Sequence, residues 1–230
     1  MSWRDFWNGD HSIYVSPRHK ALHYRAIASD LIGHIPVPGA VVLDHGCGEA
    51  LDAARVASAC GKLYLCEAAP NVRDKLRAQF GRKDNVAVVS PEEVEALPDA
   101  SLDLIVANSL VQYLSQDELR ALLAIWRGKL KPGGKLVIAD VIPPNVSPLT
   151  DASQLLAFAW RGGFLTAALG GLVRTAFSDY RKLRAQYGLS TYTPEAVSGM
   201  IGEAGFSDLQ RPKNFGHNPH RMTFKATKPA

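Results

Sequence analysis

The chain of 230 residues is poor in cysteine and has no long apolar run. Its three cysteines, Cys47, Cys60 and Cys66, form no C-x-x-C pair. That excludes a disulfide framework or a zinc site of that kind and leads to the expectation of reduced thiols in a cytoplasmic protein. A transmembrane helix needs about 20 apolar residues in succession. The uncharged run between Arg161 and Arg174, in the most apolar part of the chain, is only 12 residues long. The opening M-S-W-R-D lacks the apolar core of a signal peptide, which adds to the cytoplasmic expectation. Lys and Arg number 26 against 22 Asp and Glu, a net charge of +4, and the basic residues are scattered rather than blocked. Such a distribution gives no sign of nucleic-acid binding. There is no internal repeat and no low-complexity tract.

What is present is concentrated at 40–51, which reads A-V-V-L-D-H-G-C-G-E-A-L. An apolar run ends in Asp44, Gly46 and Gly48 follow with only Cys47 between them, and a helix-forming run begins at Ala50. This is a buried strand, a glycine turn and a helix N-terminus. The glycines let the backbone turn sharply and approach a ligand. The helix presents unpaired N–H groups to anything polar in the turn. At the mouth of an open parallel sheet, that junction is where α/β proteins bind nucleotides. A P-loop is excluded because no Gly-Lys-Ser/Thr follows, and the dinucleotide fingerprint needs a glycine where Leu51 stands. The next apolar run, 62–66, ends in Glu67. A carboxylate there can accept hydrogen bonds from two vicinal ribose hydroxyls, but an acid at that place also suits a nicotinamide cofactor.

Around this junction, strands are expected over 40–44, 62–67, 86–89, 102–107 and 135–142, with helices over 50–59, 70–80 and 115–126. Ser90-Pro91-Glu92-Glu93 and Ser115-x-x-Glu118 are capping boxes, the first opening a short helix. Lys131-Pro132-Gly133-Gly134 reads as a turn. A helix over 17–32, stopped by Gly33 and the Pro36/Pro38 pair, precedes the sheet. His19 and His23 stand i, i+4 on it. That spacing could hold a metal, but no third ligand is in view and a packed or solvated pair is expected. After strand five come a Pro-rich loop and two apolar helices broken at Gly162-Gly163, with basic Arg174, Arg181, Lys182 and Arg184 beyond. A helix capped by Thr193 and ended by Gly205 follows, then strands over 206–209 and 221–226. His217 and His220 fall in an expected solvent-exposed hairpin tip. The alternation predicts an α/β fold, a Rossmann-like doubly wound parallel sheet with right-handed crossovers.

The D-x-G-x-G of 44–48 resembles motif I of the class I S-adenosyl-L-methionine (SAM) methyltransferases. Pro98-Asp99-Ala100-Ser101-Leu102-Asp103 and the L-K-P-G-G-x-L of 130–136 are similar to later blocks of that family. The resemblance covers 40–142 and implies one domain with a seven-stranded sheet. Its parts would be an N-terminal cap (1–38), a cofactor-binding core (39–142), an apolar helical lid (143–192) and a C-terminal helix and hairpin (193–230). It implies SAM as cofactor, with Asp44, His45, Gly46, Cys47 and Gly48 against the methionine part and Glu67 and Ala68 at the ribose. The aspartate usual at the adenine is replaced by Pro91, so Glu92, Glu93 or the Val94 backbone would stand in. Asn108, Ser109, Gln112 and Tyr113 would lie near the methyl group, and Tyr14 or Arg18 would fold over the cofactor. Two plainer readings stay open: Trp3, Phe6, Trp7 and Tyr14 as staples of the appendage, and Glu92 and Glu93 as capping residues alone.

The pattern is most similar to the small-molecule branch. Asn108-Ser109-Leu110-Val111 departs from the Asn/Asp-Pro-Pro-aromatic motif of nucleic-acid amino-methyltransferases, so no nucleic-acid partner is expected. The acceptor implied is a small hydrophobic or lipid-like molecule against the 155–173 segment, and that segment is also the place for peripheral membrane contact or a homodimer. No catalytic base is identified. His11, His19, Tyr14 and Tyr113 are candidates, and catalysis by positioning alone is the alternative. A non-catalytic SAM-binding regulatory protein and an NAD(P)-dependent oxidoreductase with a shortened fingerprint are the rival readings.

Overall fold

The computed structural model describes residues 7–9, 14–176 and 188–230. Seven strands form one sheet in the order β3-β2-β1-β4-β5-β7-β6. They are β1 (Val41–His45), β2 (Lys62–Cys66), β3 (Val86–Val89), β4 (Leu102–Asn108), β5 (Leu130–Val141), β6 (Ser207–Gln210) and β7 (Met222–Thr227). β1 to β5 pair in parallel, β7 lies antiparallel to β5, and β6 antiparallel to β7. The helices are α1 (Pro17–Ile32), α2 (Ala53–Ser58), α3 (Pro70–Phe80), α4 (Pro91–Glu95), α5 (Gln116–Lys129), α6 (Pro148–Gly162), α7 (Leu165–Ala176) and α8 (Pro194–Glu203). No helix among the described residues is long and apolar enough to cross a membrane.

The central strands are largely apolar because both faces are covered, with Asp103 the one polar residue inside β4 before Asn108. Leu102, Leu104, Ile105, Val106 and Ala107 are all buried. Alternate side chains go to opposite faces. Leu43, Ile105 and Ile138 join Trp126 of α5 and Phe224 on one face. Val42, Leu104, Val106 and Val137 join Ala53, Val56 and α1's Ala28 and Leu31 on the other. Both capping boxes form in full: the Ser90 and Ser115 side chains accept from Glu93 and Glu118 N–H, and each glutamate accepts the serine's N–H in return.

Four local expectations change. α2 begins at Ala53 rather than 50, because Ala50 takes a left-handed φ of 42° and prolongs the glycine turn. α5 runs on to Lys129, where Arg127 and Lys129 suit the negative end of the helix, and Lys129 Nζ also donates to Leu97 O and Asp99. The 131–134 stretch is a bulge within β5 instead of a turn: Leu102 pairs with Leu130 and Leu104 with Lys135, and Gly133 absorbs a φ of 77°. His217 is no exposed hairpin tip, since its ring stacks on Phe158 of α6 at 4.4 Å and 9°. The break expected at Gly162-Gly163 is present, with Gly163 left-handed at φ 70°. Of the basic residues expected after it, Arg181, Lys182 and Arg184 lie outside the described residues.

Candidate functional site

The strand order reverses between β1 and β4, and the crevice at the carboxyl ends there is where such sheets take ligands. A cavity of roughly 950 Å³ opens at that point, at the upper end of the usual size for a small-molecule site. Its floor is the set of strand ends: Asp44 after β1's apolar run, Glu67 after β2, Asn108 and Ser109 at β4, Asp140 near the end of β5. Each is the polar residue that closes an apolar strand.

The glycine turn is held from two sides. Gly46 and Cys47 N–H both donate to Cys66 O, at 2.8 and 3.0 Å. The Glu67 carboxylate accepts from Gly48 N at 3.0 Å and from Ala69 N at 2.8 Å, so it braces the turn as well as facing the cavity. Tyr24 of α1 closes over the turn, its hydroxyl accepting from Glu49 N at 3.0 Å. A Cβ at Gly48 would stand 2.9 Å from that hydroxyl, and the Gly48 φ is 57°. Asp44, by contrast, has no hydrogen-bond partner among the described residues. Burial, and then the neighbouring Glu67 charge, raise it to about 7. Asp44 is half-buried and lines the cavity, so its carboxylate is suited to receive a cationic group from a ligand.

On the other side of the switch point lies a second polar group. Ser109 Oγ donates to Asp140 Oδ2 at 2.6 Å, and Asn108 Nδ2 donates to Ser109 Oγ at 3.1 Å. Asp140 N–H donates to Asn214 Oδ1 at 3.0 Å, which also accepts from Thr223. Ser109 and Asp140 both have left-handed backbones, φ 55° and 60°. That conformation costs a non-glycine residue about 1–2 kcal/mol and is concentrated at functional sites. The Asn108 Oδ1 is buried and unpaired. Burial raises the Asp140 pKa, against the pull of Arg221 and the Ser109 hydrogen bond. Arg221 also donates to Asp151 of α6 at 2.8 Å, and Asn218 donates to the other Asp151 oxygen at 3.0 Å. This ties the apolar helices to the loop before β7.

A cluster of neutral rings covers the cavity. Tyr14 packs on His19, His23 and Tyr24 with ring centroids 5.3–5.9 Å apart. Burial pushes Tyr14 up to about 12. Burial, then neighbouring histidines, push His19 down to about 4 and His23 down to about 3. His19 also stacks on Phe164, and His23 lies 6.2 Å from His217. No group of three metal-capable side chains occurs among the described residues.

Of the twelve residues singled out in the sequence, Tyr14, Asp44, His45, Gly46, Cys47, Gly48, Glu67, Ala68, Asn108 and Ser109 border the cavity. Glu92 and Glu93 do not. Glu93 completes the capping box and lies 3.4 Å from Arg77, while Pro91 and Glu95 face the cavity instead. His45 has its imidazole engaged elsewhere, accepting the Trp126 indole N–H at 3.1 Å. Arg18 points away, donating to Gly162 O. Gln112 and Tyr113 line the cavity, with Trp7 edge-on to Tyr113 at 5.9 Å; His11 lies outside the described residues. The 155–173 segment is not a cavity wall. Its inner side packs on Val15 and Leu22, and α6 reaches the cavity through Asp151. Tyr24, Asp140, Asp151, Asn214, Asn218 and Arg221 went unmarked in the sequence, and His217 was expected in an exposed hairpin tip rather than at the site. Only Asp140 had a signal there, as the acid closing an apolar strand in the manner of Asp44.

Comparison with known proteins bears on the fold and on the family that the chain is similar to. Residues 43–138 match the family described as a methyltransferase domain. The ubiquinone/menaquinone biosynthesis C-methyltransferase UbiE of Vibrio vulnificus is 30% identical over 179 residues, 74% of this chain and 65% of that protein. The chain thus spans just under two thirds of that curated relative. A chain of the Haloferax volcanii complex containing the Trm112 methyltransferase activator superposes with a TM-score of 0.63 at 15% identity, covering all of this chain and 99% of its own. Magnesium protoporphyrin IX methyltransferase from Synechocystis, solved with S-adenosylhomocysteine, gives 0.58 at 13% identity, with 97% and 92% covered. At these identities the structural matches speak for the fold.

Proposed function

We propose that the chain is a class I SAM-dependent methyltransferase and that it transfers the methyl group of SAM to a small-molecule acceptor. The observation that carries the reading is the meeting of two polar groups at one switch point: the Asp44–Gly48 turn on β1 and the Asn108–Ser109–Asp140 chain on β4 and β5. The residues fit the cofactor. The unpaired Asp44 carboxylate would receive its ammonium group, Glu67 and Ala68 would border the ribose, and Pro91 and Glu95 would flank the base. Gly48 leaves room that any Cβ would fill. Bound SAM supplies an electrophilic methyl group.

The chain's own residues then do two things. The cap from α1, with Tyr14, Tyr24 and His23, excludes water from the cavity. Asp140 holds the acceptor's nucleophilic O–H, N–H or acidic C–H and takes its proton as the methyl arrives, with Ser109 and Asn214 fixing its position. The raised pKa of Asp140 suits that work near neutral pH. The acceptor combines a proton-bearing polar end at Asp140 with apolar contacts to Leu110, Leu114, Leu122 and Phe215. The domain division proposed is the cap over 1–38, the core over 39–142, a helical arm over 143–192 and the C-terminal helix and hairpin.

The test uses methyl-labelled SAM and a bacterial lipid extract as the acceptor source. Label should enter the organic phase with the wild type. Asp140→Asn should cut that transfer by about 10²–10⁴ while S-adenosylhomocysteine affinity stays within a few-fold. Tight SAM binding with no transfer to any fraction would favour the non-catalytic reading.

A further inference from the structure

Among the described residues, four of the seven exposed large apolar side chains lie on α6 and α7: Leu149 (81% exposed), Trp160 (75%), Leu169 (52%) and Val173 (63%). At about 100° per residue, Leu149 and Trp160 fall on one side of α6, about 20° apart. Leu169 and Val173 are i, i+4 neighbours on α7. The inner sides of the same helices are already used, with Ala159, Phe164 and Ala168 packed on Val15 and Leu22. Among the described side chains of α7, those exposed are Thr166, Leu169, Gly170 and Val173, none of them charged. Between Asp151 and Asp179 the chain has no acidic residue. Arg161 stands exposed beside Trp160 and makes no ion pair among the described residues.

We propose that this face docks on a membrane surface containing anionic lipid. Trp160, Leu149, Leu169 and Val173 enter the boundary between head groups and acyl chains, where Trp is favoured. Arg161 meets the lipid phosphates, and the acid-free stretch avoids repulsion from them. A second copy of the chain fits less well. The four side chains expose on the order of 500 Å², below the ~800 Å² per partner of a stable dimer. Docked in this way, α6 faces the bilayer on its outer side and contributes Asp151 to the cavity from its first turn.

The experiment is co-sedimentation of the full chain with vesicles of phosphatidylcholine alone and of equal parts phosphatidylcholine and phosphatidylglycerol. The wild type should bind the mixed vesicles at least about tenfold more tightly than the neutral ones, and binding should weaken with added salt. The double variant Trp160→Glu/Leu169→Glu, and separately Arg161→Glu, should bind the mixed vesicles at least about tenfold more weakly. Both should keep wild-type affinity for S-adenosylhomocysteine, which shows that the fold is intact. No vesicle binding by the wild type would overturn the proposal, as would equal binding by the double variant. So would a dimer, seen by sedimentation velocity, that the double variant abolishes in place of membrane binding.

Discussion

Desolvation at the cavity floor, and then the Glu67 charge, push half-buried Asp44 up to about 7. A cationic ligand selects its ionised form. Ionisation rises from about a tenth to about nine tenths between pH 6 and 8, so SAM affinity should rise about tenfold over that range. Asp44→Asn should bind more weakly and lose the slope, as titration calorimetry at several pH values would show. Gly48 offers a second residue-scale prediction. Gly48→Ala places a Cβ 2.9 Å from the Tyr24 hydroxyl at a φ of 57°. It should weaken S-adenosylhomocysteine binding by about tenfold or more. Adding Tyr24→Phe removes the colliding oxygen, so the double variant should lose less than the two single losses combined. At this scale the sequence revealed residues whose place follows from the chain itself: the acid closing a strand, the glycines after it. It could not reveal Tyr24 or Arg221, which come to the cavity from α1 and from the loop before β7. Nothing local marks a tyrosine that meets a turn 25 residues on, or an arginine that lies between Asp140 and Asp151.

At the scale of elements, the capping signals of Ser90, Ser115 and Thr193 were legible because they are local, while the Ser147 cap was not read from the sequence. All four accept the backbone N–H three residues on. Ser115→Ala should therefore cost about 1 kcal/mol, a fall in Tm of about 2–4 °C for a domain of this size. Circular dichroism melting would check it; an unchanged Tm would mean that packing of Leu119, Leu123 and Trp126 alone holds α5 in place. The apolar α6–α7 pair shows the opposite case. Its two helices and their break could be read from composition and from Gly162-Gly163. Which side faces the protein could not, because both sides are apolar. The inner side fills the gap against Val15 and Leu22, so the pocket wall expected there is made by other elements.

For the whole molecule, buried histidines set the response to acid. His23 and His45 are held neutral by burial, at about 3 and about 4. Their stabilising effect is present above the unfolded value near 6.5 and is lost as pH falls toward 4. Each contributes a slope of about 1.4 kcal/mol per pH unit in that window. Asp44, raised to about 7, opposes one of them, since its folded form holds a proton that the unfolded chain releases. The net effect is a Tm that falls between pH 6.5 and 5, and His23→Phe should flatten that fall. The alternation of strands and helices was legible because the central strands are largely apolar and caps or glycines mark several of the connections, whereas the count of seven came from the family resemblance and the order β3-β2-β1-β4-β5-β7-β6 from the structure. Closure of the N-terminal cap over the cavity is a tertiary fact, made by rings that meet from α1, α6 and the loop before β7.

The central claim is that the crevice between β1 and β4 binds SAM. The most direct measurement is calorimetric titration of the folded chain with SAM, S-adenosylhomocysteine and NADH. The account predicts binding of both adenosyl ligands, weakened in Asp44→Asn, and none of NADH. Binding of NADH in their place, or of none of the three by a protein shown to be folded, would contradict it.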